Sequence, residues 1–143
     1  LRLANRTRIA NIPERLLRYR RYDGQISNRF PLEQHYGAAI AVLAYRERKA
    51  GRPDPTEALD ALPPLEELDT LFGRGGVTRQ VRAQLARGLI YSRAAMRSEG
   101  FDLLLRHISD GGRGRELWRT VPRLLRFGEP GRAMRLAAAL AGV

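Results

Sequence analysis

The chain is predicted to be mainly α-helical, with two short amino-terminal strands followed by a bundle of helical hairpins. Three observations carry this. From Pro31 onward, apolar residues recur at three- and four-residue spacings. Glycines at 100, 111–112 and 128 cut that pattern into pieces of helical length. Only residues 8–12 and 15–22 have the short, β-leaning character of strands.

Pro13 separates the two strand-like runs and points to a tight connection between them, and Asp23-Gly24 is a strong turn signal. Two strands of this length do not make a stable sheet alone, so they are expected to join a larger one. Pro31 suits the first position of a helix, and Tyr36, Ile40, Leu43 and Ala44 carry its apolar face to about Lys49. Gly51, Pro53 and Pro55 end that helix and mark a linker near 50–56. An acidic stretch follows, from Asp54 through Glu57, Asp60, Glu66 and Glu67 to Asp69. Two short helices are expected within it, at about 56–62 and 64–72, divided by Pro63-Pro64.

Gly73-Arg74-Gly75-Gly76 breaks the chain again. The longest helix is expected from Thr78, a suitable N-cap, to about Ser98. Val81, Leu85, Leu89, Ser92 and Met96 would line its inner face, with Arg79, Arg82, Arg93 and Arg97 largely opposite. Three further helices are expected at about 101–109, 114–127 and 130–141, forming hairpins that bury their apolar faces on one another. No clean repeat of about 34 residues is visible, which argues against tetratricopeptide repeats.

With 143 residues and 43% hydrophobic content, the chain suits one modest globular domain. No run approaches the roughly 18 apolar residues of a spanning helix. Cysteine is absent, which removes disulfides and thiolate metal sites and fits a reducing compartment. The net charge is +11 and the sequence pI near 11.3, which raises nucleic-acid binding as a first thought. The charge is unusual in kind: Lys49 is the one lysine, and the other 25 basic residues are arginine. These arginines are spread along the chain, and aromatics make up only 7%. Dedicated nucleic-acid binders gather basic residues in blocks or interleave them with aromatics for base stacking. No specific nucleic-acid partner is therefore expected, although phosphate or anionic lipid would attract the surface.

Asn11, Pro13 and Glu14 form Asn-x-Pro-Glu; Leu16, Leu17, Tyr19 and Arg20 form Leu-Leu-x-Tyr-Arg; Gly24, Gln25 and Ser27 form Gly-Gln-x-Ser. In this order the segment resembles the closing part of the catalytic domain in bacterial family 2 glycosyltransferases, enzymes of the GT-A type. Leu1-Arg2-Leu3-Ala4 looks like the tail of that family's helix following its catalytic Glu-Asp pair. The resemblance implies that residues 1–30 end a catalytic domain and that 31–143 are a helical C-terminal extension. It also implies a nucleotide-sugar donor, a glycan or lipid acceptor, and a divalent metal (Mg or Mn) on the donor diphosphate. A cytoplasmic location follows, with peripheral contact at the inner membrane. Residue 1 is Leu and no signal-peptide pattern follows it, so the chain is expected to be a piece of a longer enzyme.

The family's Asp-x-Asp and Glu-Asp motifs have no match here, so no catalytic or metal-binding residue is assigned and the piece is not expected to be active alone. Four positions are assigned by resemblance to the donor site. Arg20 matches the family's arginine, whose forked donors suit a diphosphate; the alternative is a packing or salt-bridge arginine at the sheet edge. Tyr22 stands where the family has His, and a neutral phenol is a poor metal ligand but a competent hydrogen-bond donor to phosphate. Gln25 and Ser27 either close over the nucleotide or cap the following helix.

The remaining chemistry-bearing residues read as structural. His35 is expected on a helix surface and His107 partly buried, since neither has a second ligand at metal spacing. Asp60 and Asp69 are expected on a solvated face. Trp118, between Leu117 and Val121, is expected in the core of the last helix pair. The glycines at 73–76 lack the Lys-Ser/Thr pairing of a phosphate loop and read as a turn. Two other functions compete with the enzyme: a basic helical module binding nucleic acid or anionic surfaces, and a helical scaffold for a protein partner. Arginines gathered on one concave face would favour the first, and an exposed apolar groove the second.

Overall fold

A computed structural model describes residues 2–18 and 30–142. Seven α-helices make up the second part: α1 (Pro31–Lys49), α2 (Leu68–Leu71), α3 (Val77–Leu89), α4 (Arg93–Met96), α5 (Glu99–Ser109), α6 (Arg115–Arg126) and α7 (Pro130–Ala141). Short 3-10 turns lie at Leu3–Asn5 and Leu65–Glu67. The mainly helical expectation holds. Strand pairing does not occur among the described residues: 8–12 and 15–18 run without regular structure, and 19–22 lie outside the described residues. Two brief strands have no neighbouring sheet here to satisfy their backbone groups.

α3 is the centre of the packing. Its Val81, Leu85, Ala86 and Leu89 are buried between α1, which contributes Ala39, Ile40 and Leu43, and α5, which contributes Phe101, Leu104 and Ile108. The antiparallel pair α6 and α7 closes the far side through Leu117, Leu124, Ala133 and Leu136. Thr120 is fully buried among these, with its hydroxyl donating to the Glu116 carbonyl one turn back (2.8 Å). A buried hydroxyl is tolerated when paired in this way.

Helix ends follow local chemistry. Pro31 is at the start of α1, with Glu33 in the first turn and Arg46, Arg48 and Lys49 in the last, each sign complementing the helix dipole. Gly128 turns the chain from α6 to α7 at φ +79°, a conformation that penalises any Cβ.

Other helix expectations are corrected. The long helix from 78 to 98 is two pieces, α3 and α4, because Ser92 adopts an extended backbone and its Oγ accepts from the Ala95 amide (3.2 Å). Ser92 is a cap and not a member of the inner stripe. Substituting Ser92 with alanine is expected to cost about 1 kcal/mol in urea unfolding; an unchanged midpoint would mean that packing alone sets this corner.

No helix forms at 56–62. The Asp54 carboxylate instead accepts from the Thr56 amide (2.9 Å) and hydroxyl (2.7 Å), a turn that competes with helical bonding. Within 64–72 the helix is confined to Leu65–Glu67 and Leu68–Leu71. Thr78 is not the N-cap of α3: that position is Gly76, at φ +88°, and the capping acceptor is remote. The Asp69 carboxylate takes the amides of Gly76 (2.9 Å) and Thr78 (2.7 Å), while Thr78 Oγ1 donates to the Leu65 carbonyl (3.2 Å). The glycine run at 73–76 is therefore a turn, wrapped on an aspartate.

Candidate functional site

The four assigned donor-site residues, Arg20, Tyr22, Gln25 and Ser27, lie outside the described residues. What is described of the family-like segment is its first part, and its apolar side chains are uncovered. Ile9, Ile12, Leu16 and Leu17 are between 66% and 80% exposed. The segment meets the helices through the 3-10 turn at Leu3–Asn5, which packs on α1. Beside that contact is a cleft of about 440 Å³, lined in part by Arg2, Ile40, Arg48, Asp54 and Leu62.

Charge organises the floor of this cleft. Arg48 is ion-paired to Asp54, whose side chain is nearly buried. Burial alone would raise the Asp54 pKa, but the hydrogen bonds from Thr56 and from Arg48 outweigh it and hold the carboxyl below its usual range. One residue before Arg48, Glu47 is buried between Arg52 and Arg74 (2.9 Å to Arg74), and the Arg52 hydrogen bond lowers its pKa. Tyr36 donates to the Pro63 carbonyl (2.6 Å), and burial, with Glu66 and Glu67 nearby, pushes its pKa up to about 12. These contacts fasten the 52–63 loop to α1. They are a brace, with no paired acid and base facing open space.

His107 lies in a second cleft, of about 430 Å³, with Arg87, Tyr91, Arg113, Arg115 and Glu116 in its lining. Burial lowers its pKa, and the cation of Arg87 adds to that, with Asp110 opposing. A neutral ring is thereby favoured. Gly112 crosses it so closely that an added Cβ would fall 2.5 Å from Nε2. The unfolded chain takes up a proton near the ordinary value of 6.5 that the folded chain resists. Stability is therefore expected to decline as pH falls below that value, and to level off once the folded-state pKa is passed. A second decline follows below the carboxylate range as Glu47, Asp54, Asp69 and Glu116, each held below its ordinary pKa, are protonated. His107→Gln should remove the first decline and keep the second in melts across pH. A first decline that survives in His107→Gln would contradict this assignment.

The third cleft, of about 480 Å³, lies between Tyr91 and the side of α6, where Arg119, Pro122, Arg123, Arg126 and Phe127 line it. Arg123 stacks on the Tyr91 ring, 4.5 Å from its centroid, so that face of the ring is taken. Arg119 is paired with Glu116 (2.7 Å), and Glu116 also accepts from the Tyr91 hydroxyl (3.1 Å).

Trp118 is corrected from core to surface: it is half exposed, while Leu117, Thr120 and Leu124 form the buried stripe of α6. His35 is exposed on α1, as expected, with its ring against Gly88 of α3. Asp69 serves the turn and α3 start described above. Among the described residues, no group of three His, Cys, Asp or Glu side chains is placed to hold a metal, and no helix is long and apolar enough to cross a membrane. The brace residues Glu47 and Asp54 were not singled out from sequence; the signal for them was Arg48 and Arg52 at short spacing across a proline-rich loop. Comparisons with protein-family models, curated proteins and solved structures find no match to this chain.

Proposed function

We propose that this chain is the C-terminal part of a nucleotide-sugar-dependent glycosyltransferase of family 2, transferring a sugar to a glycan or lipid acceptor in the cytoplasm or at the inner membrane face. The observation that carries the reading is the ordered agreement of ten residues between Asn11 and Ser27 with that family's closing segment. The exposure of Ile9, Ile12, Leu16 and Leu17 supports it. Uncovered apolar side chains in a β-leaning segment are what a strand pair presents when the sheet it belongs to is elsewhere.

On this reading Arg20 contacts the donor diphosphate, Tyr22 adds a neutral hydrogen bond, and Gln25 and Ser27 close over the nucleotide. Deprotonation of the acceptor hydroxyl belongs to a carboxylate not among these residues. The family's divalent ion does not fit the groups present: the described residues offer no ligand cluster, and Tyr22 replaces a histidine. No step is assigned to a metal here.

The test is the coding sequence upstream of Leu1. A Glu-Asp pair within about ten residues, after an α/β stretch bearing Asp-x-Asp, is the expected result. An unrelated upstream domain, or a start codon directly before Leu1, would remove the reading. The nucleic-acid alternative is weakened by the ion pairing of Arg48, Arg52, Arg74, Arg82, Arg97, Arg106, Arg119 and Arg132, and by the covered face of Tyr91.

A further inference from the structure

The outer side of α6 carries two adjoining rows that packing leaves uncovered. Trp118, Pro122 and Leu125, at i, i+4 and i+7, share one side of the helix; Trp118 is 50% and Leu125 55% exposed. Directly beside them run Arg115, Arg119 and Arg126, all exposed. Glu116 lies at the far edge of the arginine row and is occupied by Arg119 and Tyr91. On the neighbouring helix α7, Met134 is 74% exposed.

We propose that α6 is a membrane-surface helix that lies flat on an anionic bilayer. Trp118 and Leu125 enter the boundary between headgroups and acyl chains, and Arg115 and Arg126 meet lipid phosphates, with Arg119 between them held by Glu116. Four features select this occupant. A large aromatic and an aliphatic side chain next to a row of cations is the composition of an interfacial helix, and tryptophan favours that depth. The arginine side chains reach outward along their apolar stems while their guanidinium groups stay at phosphate level. The chain between residues 78 and 143 holds 13 arginines against five acidic residues, so the surface around α6 is attracted to negative lipid. A nucleic acid would use the cations and stack on Trp118 but has no use for Leu125 beside it, and the Tyr91 ring in the adjoining cleft already has Arg123 on one face. The proposal does not depend on the glycosyltransferase reading.

Trp118 is the single tryptophan of the chain, so its fluorescence reports this helix alone. The 143-residue chain is titrated with vesicles of phosphatidylcholine, and with vesicles of phosphatidylcholine mixed with phosphatidylglycerol. The mixed vesicles are expected to shift Trp118 emission to the blue, and brominated acyl chains to quench it; neutral vesicles should do neither. Arg126→Gln should weaken partitioning about five-fold, the contribution of one basic residue near the surface. Leu125→Glu should weaken it roughly ten-fold more than Leu16→Glu, which makes the same charge change at an exposed site off α6. Circular dichroism checks that each variant keeps its helices.

Unshifted Trp118 with anionic vesicles would overturn the proposal. So would equal losses in Leu125→Glu and Leu16→Glu, which would reduce the attraction to general charge. An oligonucleotide that binds while vesicles leave Trp118 unchanged would assign the arginine row to nucleic acid, and self-association that buries Trp118 without lipid would assign the face to a second copy.

Discussion

Phe101→Ala is expected to destabilise the helical unit by about 3–5 kcal/mol, the range for truncating a fully buried aromatic. Phe101 is 1% exposed at the start of α5 and is one of the largest side chains in the core. Two further effects add to the lost burial. The guanidinium groups of Arg132 and Arg135 from α7 lie over its ring, at 5.1 and 5.4 Å from the centroid. Arg132 also donates to the carbonyls of Met96 and Ser98 (3.3 Å to the latter), so the ring is the platform on which α7 is held to the α4–α5 corner. Neighbouring Gly100 limits relaxation, because it passes so close to Ala95 that an added Cβ would fall 2.7 Å from the Ala95 carbonyl oxygen. Urea unfolding should show a lower midpoint with little change in slope. Met134→Ala, at an exposed position, should stay within about 0.5 kcal/mol of the parent. A loss at Phe101 no larger than that at Met134 would mean that this corner is not part of the cooperative core.

The second large effect concerns chemistry. On the glycosyltransferase reading proposed above, Arg20→Ala in the full-length enzyme is expected to lower kcat by about 100-fold or more. That is the cost of removing one fixed donor from charge that develops on a leaving group. Arg20→Lys should recover only part, because a point charge replaces a two-pronged contact. Tyr22→Phe should cost much less, since only a neutral hydrogen bond is lost. Release of nucleoside diphosphate from a panel of nucleotide sugars measures all three. Full activity in Arg20→Ala would return that residue to the packing role that sequence left open for it.

The parts of the fold that were legible in sequence are those where a backbone rule and the apolar period agree. Pro31 and Gly51 bound α1 as expected, and Gly128 with Pro130 separates α6 from α7. The break after α3 was not legible. Val81, Leu85, Leu89, Ser92 and Met96 stay in phase across it, and no glycine or proline marks it; a serine in phase with the core was used as a cap. Trp118 misled for a related reason. It stands beside Leu117 in sequence, but one residue is about 100° of helix, enough to carry it from the buried stripe to the surface. The turn at 54–56 depends on Arg48 and Asp54 meeting through space, which periodicity does not encode. The donor-site assignment came from order and identity of residues alone, and its four positions lie outside the described residues.

The uncovered amino-terminal segment has a further consequence for how the chain behaves in crowded solution. A β-leaning run carrying Ile9, Ile12, Leu16 and Leu17 in the open is a template for edge-to-edge pairing with identical chains. Arg8, Arg15 and Arg18 flank those side chains, and Pro13 interrupts the run. In-register stacking of copies would bring like charges together at every layer and lose a backbone donor at the proline. These residues act as gatekeepers, leaving the segment open to pairing with a sheet of different sequence while discouraging aggregation with itself.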